Sequence, residues 1–319
     1  MTTASSQADS TVPAPGGTVS GGTAPGGTAP GGTGRLAGRP VARIGFGVMQ
    51  LERAAVDRDA ALAILRQAAG AGVNHFDTAQ FYGACNGLIR DALAPYDDGL
   101  VLASKVGADL DAGGRLVPAQ RPAELRAQVE ANLAALGAER LGLVNLRRVD
   151  APPGIIAAGE QVVSLDDQLA ELTALRQAGK IGGIGLSNVS ASQLEQARPA
   201  GIACVQNSYS VLDRAAEPVL DQCRAHGIAW VPFFPLGSAG FASLPKVTGN
   251  PAVIAIAAQL GATPAQVGLA WQLAHYDQTL LIPGTSSPVH LAENLAVGTV
   301  TLTAAAVASL DRLAAHGAG

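Results

Sequence analysis

Ile44-Gly45-Phe46-Gly47-Val48-Met49-Gln50-Leu51-Glu52 decides the fold. Ile44–Met49 reads as the first strand of a chain that alternates short apolar runs with amphipathic stretches. Two architectures are built that way. A doubly wound open sheet normally follows its first strand with a Gly-rich phosphate-binding turn that opens a helix. Here the strand leads into Gln50-Leu51-Glu52 instead. The rival, a parallel barrel, has no such requirement.

Outward from that strand the alternation continues. A helix is expected over 59–71, capped by Asp57 or Asp59 and stopped by Gly70-Ala71-Gly72. Val73–Asp77 reads as strand, Cys85–Leu93 as helix, Leu100–Lys105 as strand and Pro122–Leu136 as helix before Gly137. Leu141–Arg147 is a strand and Leu165–Ala178 a helix capped by Ser164. Strands at 181–187, 204–207, 228–233 and 280–283 follow, with helices at 190–198, 217–226, 251–260 and 264–275. Helices at 289–297 and 304–315 close the chain. Eight short apolar strands, nearly all followed by a helix, predict an α/β fold of the (β/α)8 TIM-barrel class with an extra C-terminal helix, over residues 39–319.

Residues 1–38 differ. Ala-Pro-Gly-Gly-Thr recurs at 14–18, 24–28 and 29–33, with almost no large apolar residue. Such a stretch buries too little surface to offset the entropy of ordering, which predicts a disordered Gly/Pro/Thr-rich tail.

Of the 319 residues, 48% are hydrophobic and 14% charged, with a net charge of −4 and no basic run. Neither nucleic acid nor a membrane is an expected partner. Cys85, Cys204 and Cys223 are too few and scattered for a disulfide framework or a metal site, so none is expected. No secretory pattern and no apolar run long enough to span a bilayer occur, which leads to a cytoplasmic expectation. A monomer or small homo-oligomer is expected.

In a barrel, chemistry sits at the C-terminal ends of the strands. Those positions hold Asp77, Lys105, Arg147, Ser187-Asn188, Gln206-Asn207, Phe233-Phe234 and Gly284-Thr285. A lysine ending an apolar strand needs a partner, and Asp77 ends the preceding one. Tyr82 lies on the loop after Asp77, where a nearby ammonium favours the phenolate and lowers the pKa, making proton donation possible. His75 points to the same side as Asp77 and is read as an interior filler, and Cys85 as an inert small residue.

Asp77-Thr78-Ala79-Gln80-Phe81-Tyr82-Gly83 resembles the signature of the aldo-keto reductases. Lys105, Gly185-Leu186-Ser187-Asn188, Gln206-Asn207-Ser208-Tyr209, Pro235-Leu236-Gly237, Ile282–Ser287 and Glu293-Asn294 follow in the family's order, so that the match covers residues 41 to about 315. The resemblance implies NADPH as cofactor, with NADH not excluded, and a small-molecule carbonyl substrate. It implies catalytic roles for Asp77, Tyr82 and Lys105. Ser187, Asn188 and Gln206 match residues that bind the nicotinamide carboxamide, and Phe233 an aromatic residue stacked on the ring. Leu236 and Ser238 fall in the loop that crosses the pyrophosphate. Thr285, Ser286 and His290 match the 2′-phosphate region, and Glu293 and Asn294 lie near the adenine.

One position departs. The family's fourth catalytic residue is a His on the fourth strand, where this chain reads Leu143-Val144-Asn145-Leu146-Arg147. Arginine stays protonated and cannot relay protons, though it can tune Tyr82 or grip an anionic oxygen. The Asn-Leu-Arg run, Val73–Asp77 and Val231–Gly237 resemble the pyridoxal-reducing bacterial members. Reduction of pyridoxal to pyridoxine is therefore expected, with Tyr82 as general acid and Arg147 on the phenolic oxygen beside the aldehyde. The alternatives are a broad aldehyde, ketone or keto-sugar reductase and a non-catalytic nicotinamide-binding subunit.

Overall fold

A computed structural model describes Met1 and residues 29–52, 56–152, 154–238 and 244–313. Its centre is a seven-stranded parallel sheet in the order β11-β10-β9-β8-β5-β4-β3. The strands are β3 (Phe46–Gly47), β4 (His75–Asp77), β5 (Val101–Val106), β8 (Leu143–Arg147), β9 (Ile184–Ser187), β10 (Ile202–Gln206) and β11 (Ala229–Trp230). Helices α1 (Arg58–Gly70), α2 (Cys85–Leu93), α3 (Pro122–Leu136), α4 (Leu165–Gln177), α5 (Ala191–Ala197) and α6 (Glu217–His226) connect them. Helices α7 (Pro251–Leu260), α8 (Pro264–His275), α9 (Pro288–Leu295) and α10 (Ala304–Asp311) complete the chain. Asp57 caps α1 by accepting from Ala60 N, and Ser164 caps α4 by accepting from Asp167 N.

The eighth expected strand differs from the other seven. Around the expected strand at 280–283 there are isolated bridges instead of a ladder, Ile44 to Leu281 on one side and Trp230 to Thr279, one residue before it, on the other. Pro283 has no N–H to continue the pattern. Both edges of the sheet nonetheless hydrogen-bond to this one segment. Gly45 N donates to Leu281 O at 2.7 Å and Leu281 N to Arg43 O at 2.7 Å, while Leu280 N donates to Trp230 O at 2.8 Å. Glycine permits the approach: a Cβ on Gly284 would lie 2.2 Å from Gly47 O.

The chain from Ala29 to Leu36 corrects the expected tail. Residues 2–28 lie outside the described residues, but β1 (Thr33–Leu36) and β2 (Arg39–Ala42) form an antiparallel hairpin. Its two-residue turn has Ala37 at φ 49° and Gly38 at φ 79°, the left-handed pair that matches strand twist in a tight hairpin. Leu36 and Val41 are buried against Val101, Leu143, Val231 and Leu280 inside the curled sheet. The folded unit therefore begins before residue 39. Two well-placed apolar side chains outweigh the Gly/Thr-rich composition around them.

A second antiparallel pair, β6 (Ala108–Leu110) with β7 (Leu116–Pro118), follows β5 and had no counterpart among the expected elements. The larger apolar core lies between the sheet's outer face and the helices, where Leu62, Leu65, Ile89, Leu125, Leu136, Leu172 and Leu220 pack on Phe76, Val144 and Leu186.

Candidate active site

Strand periodicity turns Asp77, Lys105, Arg147, Ser187 and Gln206 toward the interior at the C-terminal end of the sheet. Lys105, only 5% exposed, forms an ion pair with Asp77 Oδ1 and donates to Thr78 O at 3.1 Å. The other carboxylate oxygen of Asp77 accepts from Gln206 Nε2 at 2.8 Å. Asp77 is thus held from two sides, as a buried carboxylate must be.

The Lys105 ammonium lies 5.3 Å from the centre of the Tyr82 ring. Burial disfavours the ammonium, but Asp77 and Tyr82 together outweigh it and hold the lysine pKa above its usual value. Lys105 is therefore a fixed cation.

For Tyr82 the expected direction is corrected. Burial raises the phenol pKa, and although Lys105 and Arg147 pull it down, burial and the Asp77 charge prevail. Phe81 stands edge-on to the Tyr82 ring at 5.1 Å. Ala79, Phe81 and Ala108 form an apolar cluster there, with Leu116 and Ile155 packed on it. The nearby charge is legible in the sequence, whereas this desolvation arises only in the fold. A raised pKa still suits proton donation to a developing alkoxide, which is far more basic than a phenolate.

Arg147 stands at the end of β8 and feels the Tyr82 phenol electrostatically. Burial lowers its pKa and Tyr82 raises it, with burial the larger influence. Its backbone is braced by side chains that sequence reasoning missed. Gln120 Nε2 donates to Arg147 O at 2.9 Å, and Gln168 Nε2 donates to Gln120 O at 2.7 Å. Arg148 hydrogen-bonds Gln168 Oε1 and donates to both oxygens of Asp150, at 2.7 and 2.8 Å. Glutamines on the buried faces of helices, such as Gln128 and Gln168, were the available signal.

Beneath these groups lies a second polar layer. Asn145 sits beside Lys105 in the strand register, and its Oδ1 accepts from the Cys204 thiol at 3.2 Å. His75 is an interior filler as expected. Its ring fills the space above Gly45, where a Cβ would meet Nε2 at 2.1 Å, and burial lowers its pKa to about 4.

The expected cofactor residues divide into three groups. Ser187 and Gln206 face each other in register on adjacent strands. Ser187 Oγ and Gln206 Oε1 are buried and have no hydrogen-bond partner among the described residues, which suits a group that offers both an N–H and a carbonyl. Asn188, at φ 58°, is tied back to the loop, with Nδ2 donating to Ala151 O at 2.8 Å. Phe233 is half-buried at the mouth, its ring 5.2 Å from Phe234.

Leu236 and Ser238 form the second group. Leu236 packs on the core and accepts at its carbonyl from Val247 N at 3.1 Å, and Ser238 bridges to Leu244 around the undescribed residues 239–243. The third group lies at α9. Thr285 Oγ1 accepts from Ser287 N at 3.0 Å, and Ser287 Oγ caps the helix by accepting from His290 N at 3.4 Å. Ser286 and His290 are exposed beside that N-terminus, a setting that favours an anion. Glu293 and Asn294 are half-buried further along the same helix.

Similarity to known proteins identifies the family. Residues 43–315 match the model of the aldo/keto reductase family. The chain is 43% identical over 284 residues to pyridoxine 4-dehydrogenase of Escherichia coli, covering 86% of this chain and 96% of that protein. It is 31% identical to an uncharacterized oxidoreductase of Schizosaccharomyces pombe, covering 85% of this chain and 86% of that one. Among solved structures, an aldo-keto reductase from Klebsiella pneumoniae in complex with NADPH superimposes with a TM-score of 0.73 at 26% identity, covering 88% of this chain and 94% of that one. The chain belongs to the aldo/keto reductase family and is an oxidoreductase.

Proposed function

We propose that this protein reduces an aldehyde to an alcohol with NADPH, and that pyridoxal is the aldehyde and pyridoxine the product. The observation that carries the proposal is Lys105 buried between Asp77 and Tyr82, beside the unpartnered Ser187 Oγ and Gln206 Oε1. The substrate comes from the 43% identity to pyridoxine 4-dehydrogenase, and the cofactor from the relative crystallised with NADPH. We also read the sheet as a (β/α)8 barrel, with residues 279–282 in the place of the eighth strand. The hydrogen bonds from both sheet edges support that reading.

In this mechanism a bound nicotinamide supplies the hydride, and the protein supplies orientation and charge. Ser187, Asn188 and Gln206 would hold the carboxamide, and Phe233 would stack on the ring. Leu236 and Ser238 would lie along the pyrophosphate, Glu293 and Asn294 near the adenine, and Thr285, Ser286 and His290 around the 2′-phosphate. Tyr82 gives its phenolic proton to the carbonyl oxygen as negative charge develops there. Lys105 stabilises the tyrosinate left behind, and Asp77 keeps Lys105 in place. Arg147 cannot serve as a proton relay, because its guanidinium stays charged. It binds the phenolic oxygen that pyridoxal carries next to its aldehyde, as a charge-assisted pair. Phe81, Leu116 and Ile155 supply the apolar wall.

The test is NADPH consumption with pyridoxal beside a panel of unrelated aldehydes, repeated with NADH. The proposal expects pyridoxal to give the highest kcat/KM. Equal turnover of every aldehyde would replace it with a broad reductase. Tight NADPH binding with no turnover of any aldehyde would replace it with a non-catalytic subunit.

A further inference from the structure

Asp77 has a second oxygen that the mechanism leaves unused. Oδ1 belongs to Lys105, while Oδ2 accepts from Gln206 Nε2 at 2.8 Å. A carboxylate can only accept, so this contact decides which way round the Gln206 amide sits. Its NH2 must face Asp77, and its Oε1 must face the other way. There Oε1 is buried without a partner among the described residues, and Gln206 is 1% exposed. On the adjacent strand, in register, Ser187 Oγ is likewise buried and unpartnered, and a hydroxyl can donate.

We propose that Asp77 is a positioning residue for the ring that binds beside it: by locking the Gln206 amide, it makes that spot accept an N–H. The inference rests on the cofactor reading above and deepens it. A ring substituent with NH2 on one arm and C=O on the other satisfies both orphans, its NH2 on Gln206 Oε1 and its C=O on the Ser187 hydroxyl. A methyl ketone satisfies Ser187 and leaves Gln206 Oε1 buried and unpaired, which is the costly case. The carboxylate that holds Lys105 for proton transfer therefore also selects a carboxamide and sets its direction.

Replacing Asp77 with Asn gives the idea its sharpest consequence. Lys105 still needs an acceptor and takes the Asn oxygen, which turns the Asn NH2 toward Gln206. The Gln206 amide must then rotate, bringing Oε1 to residue 77 and Nε2 to the ligand. The spot changes from acceptor to donor, and both a carboxamide and a methyl ketone can serve it with their C=O.

The experiment measures equilibrium binding of NADPH and of reduced 3-acetylpyridine adenine dinucleotide phosphate, a methyl ketone in place of the carboxamide. It needs no catalysis. The wild type should bind NADPH about 5- to 100-fold more tightly than the analogue, the ratio that one unsatisfied buried acceptor produces. In Asp77→Asn that ratio should fall to within about 2-fold of unity, chiefly because the analogue binds better. In Gln206→Met, where Asp77 remains but the acceptor is gone, the ratio should also approach unity, but through weaker NADPH binding. Equal affinities in the wild type overturn the inference without any variant and leave the NADPH reading standing. A wild-type ratio that survives unchanged in Asp77→Asn also overturns it. Failure of the wild type to bind NADPH at all overturns the cofactor reading, and this inference with it.

Discussion

The two ends of the sheet interior are built from the same strands and do opposite things. At one end Leu36 and Val41 of the hairpin plug the space between Val101, Leu143 and Leu280 in a hydrophobic cluster. Two residues further along the same strands, Lys105 follows Ala103 and Asn145 follows Leu143, and the interior becomes ionic. The plug buries apolar surface and stabilises. The polar end keeps a Lys–Asp pair, a neutral histidine and unpartnered amide and hydroxyl groups out of water, which costs stability and creates reactivity. Substitutions at the two ends should therefore separate turnover from stability.

The largest expected effect is Tyr82→Phe. It removes the proposed proton donor without changing the ring, so turnover should fall by about 10²- to 10⁴-fold while Tm and NADPH affinity stay near wild type. Retention of more than about half of the turnover, with chemistry rate-limiting, would break the assignment of function to this end. The opposite change is Leu36→Ala in the plug. It should cost about 2–5 kcal/mol in denaturant unfolding, yet leave kcat nearly unchanged at low temperature. A loss of activity without a loss of stability would mean that the two ends are not separable.

His75 sharpens the comparison through pH. Its pKa is lowered to about 4 by burial, so the folded state holds it neutral while the unfolded chain binds a proton near the ordinary value of 6.5. Unfolding then takes up protons between those values, and stability is lost as pH falls from about 6.5 to about 4, by roughly 3 kcal/mol. In His75→Phe that segment of the stability–pH curve should flatten. An unchanged slope in the variant would show that the acid sensitivity arises elsewhere.

Arg147→Met should give the smallest effect, and a selective one. Loss of a charged hydrogen bond is worth roughly 1.5–3 kcal/mol, so kcat/KM for pyridoxal should fall about 10- to 100-fold more than that for benzaldehyde. Equal losses on both substrates, with a shifted pH–rate profile, would mean that Arg147 acts on Tyr82 instead of on the substrate.

Much of the polar end was legible in the sequence. Asp77, Lys105, Ser187 and Gln206 stand at the ends of short apolar runs, and strand periodicity alone turns them to one side. Helices Pro122–Leu136, Glu217–His226, Pro251–Leu260 and Pro264–His275 matched residue for residue, because Pro at the start and Gly, His or a polar residue at the end punctuate them. The apolar plug was not legible. Its hairpin is written mostly in Gly, Thr, Pro, Arg and Ala, and Leu36 and Val41 are its only large apolar side chains, so composition argued for disorder. The direction of the Tyr82 shift was also beyond reach. It depends on Phe81, Ala108, Leu116 and Ile155 meeting around the ring, and they come from three separate segments. The Gln206–Asp77 hydrogen bond joins residues 129 apart and leaves no local pattern.

The central claim is that hydride passes from NADPH to the aldehyde carbon of pyridoxal at the polar end of the sheet. The direct measurement uses NADPH deuterated at the transferable position of the nicotinamide, with pyridoxal as substrate, and locates the label in the product. The account predicts pyridoxine carrying one deuterium on the carbon that was the aldehyde, formed by the wild type and lost with Tyr82→Phe. Pyridoxine without the label, or no pyridoxine from an enzyme saturated with NADPH, would contradict it.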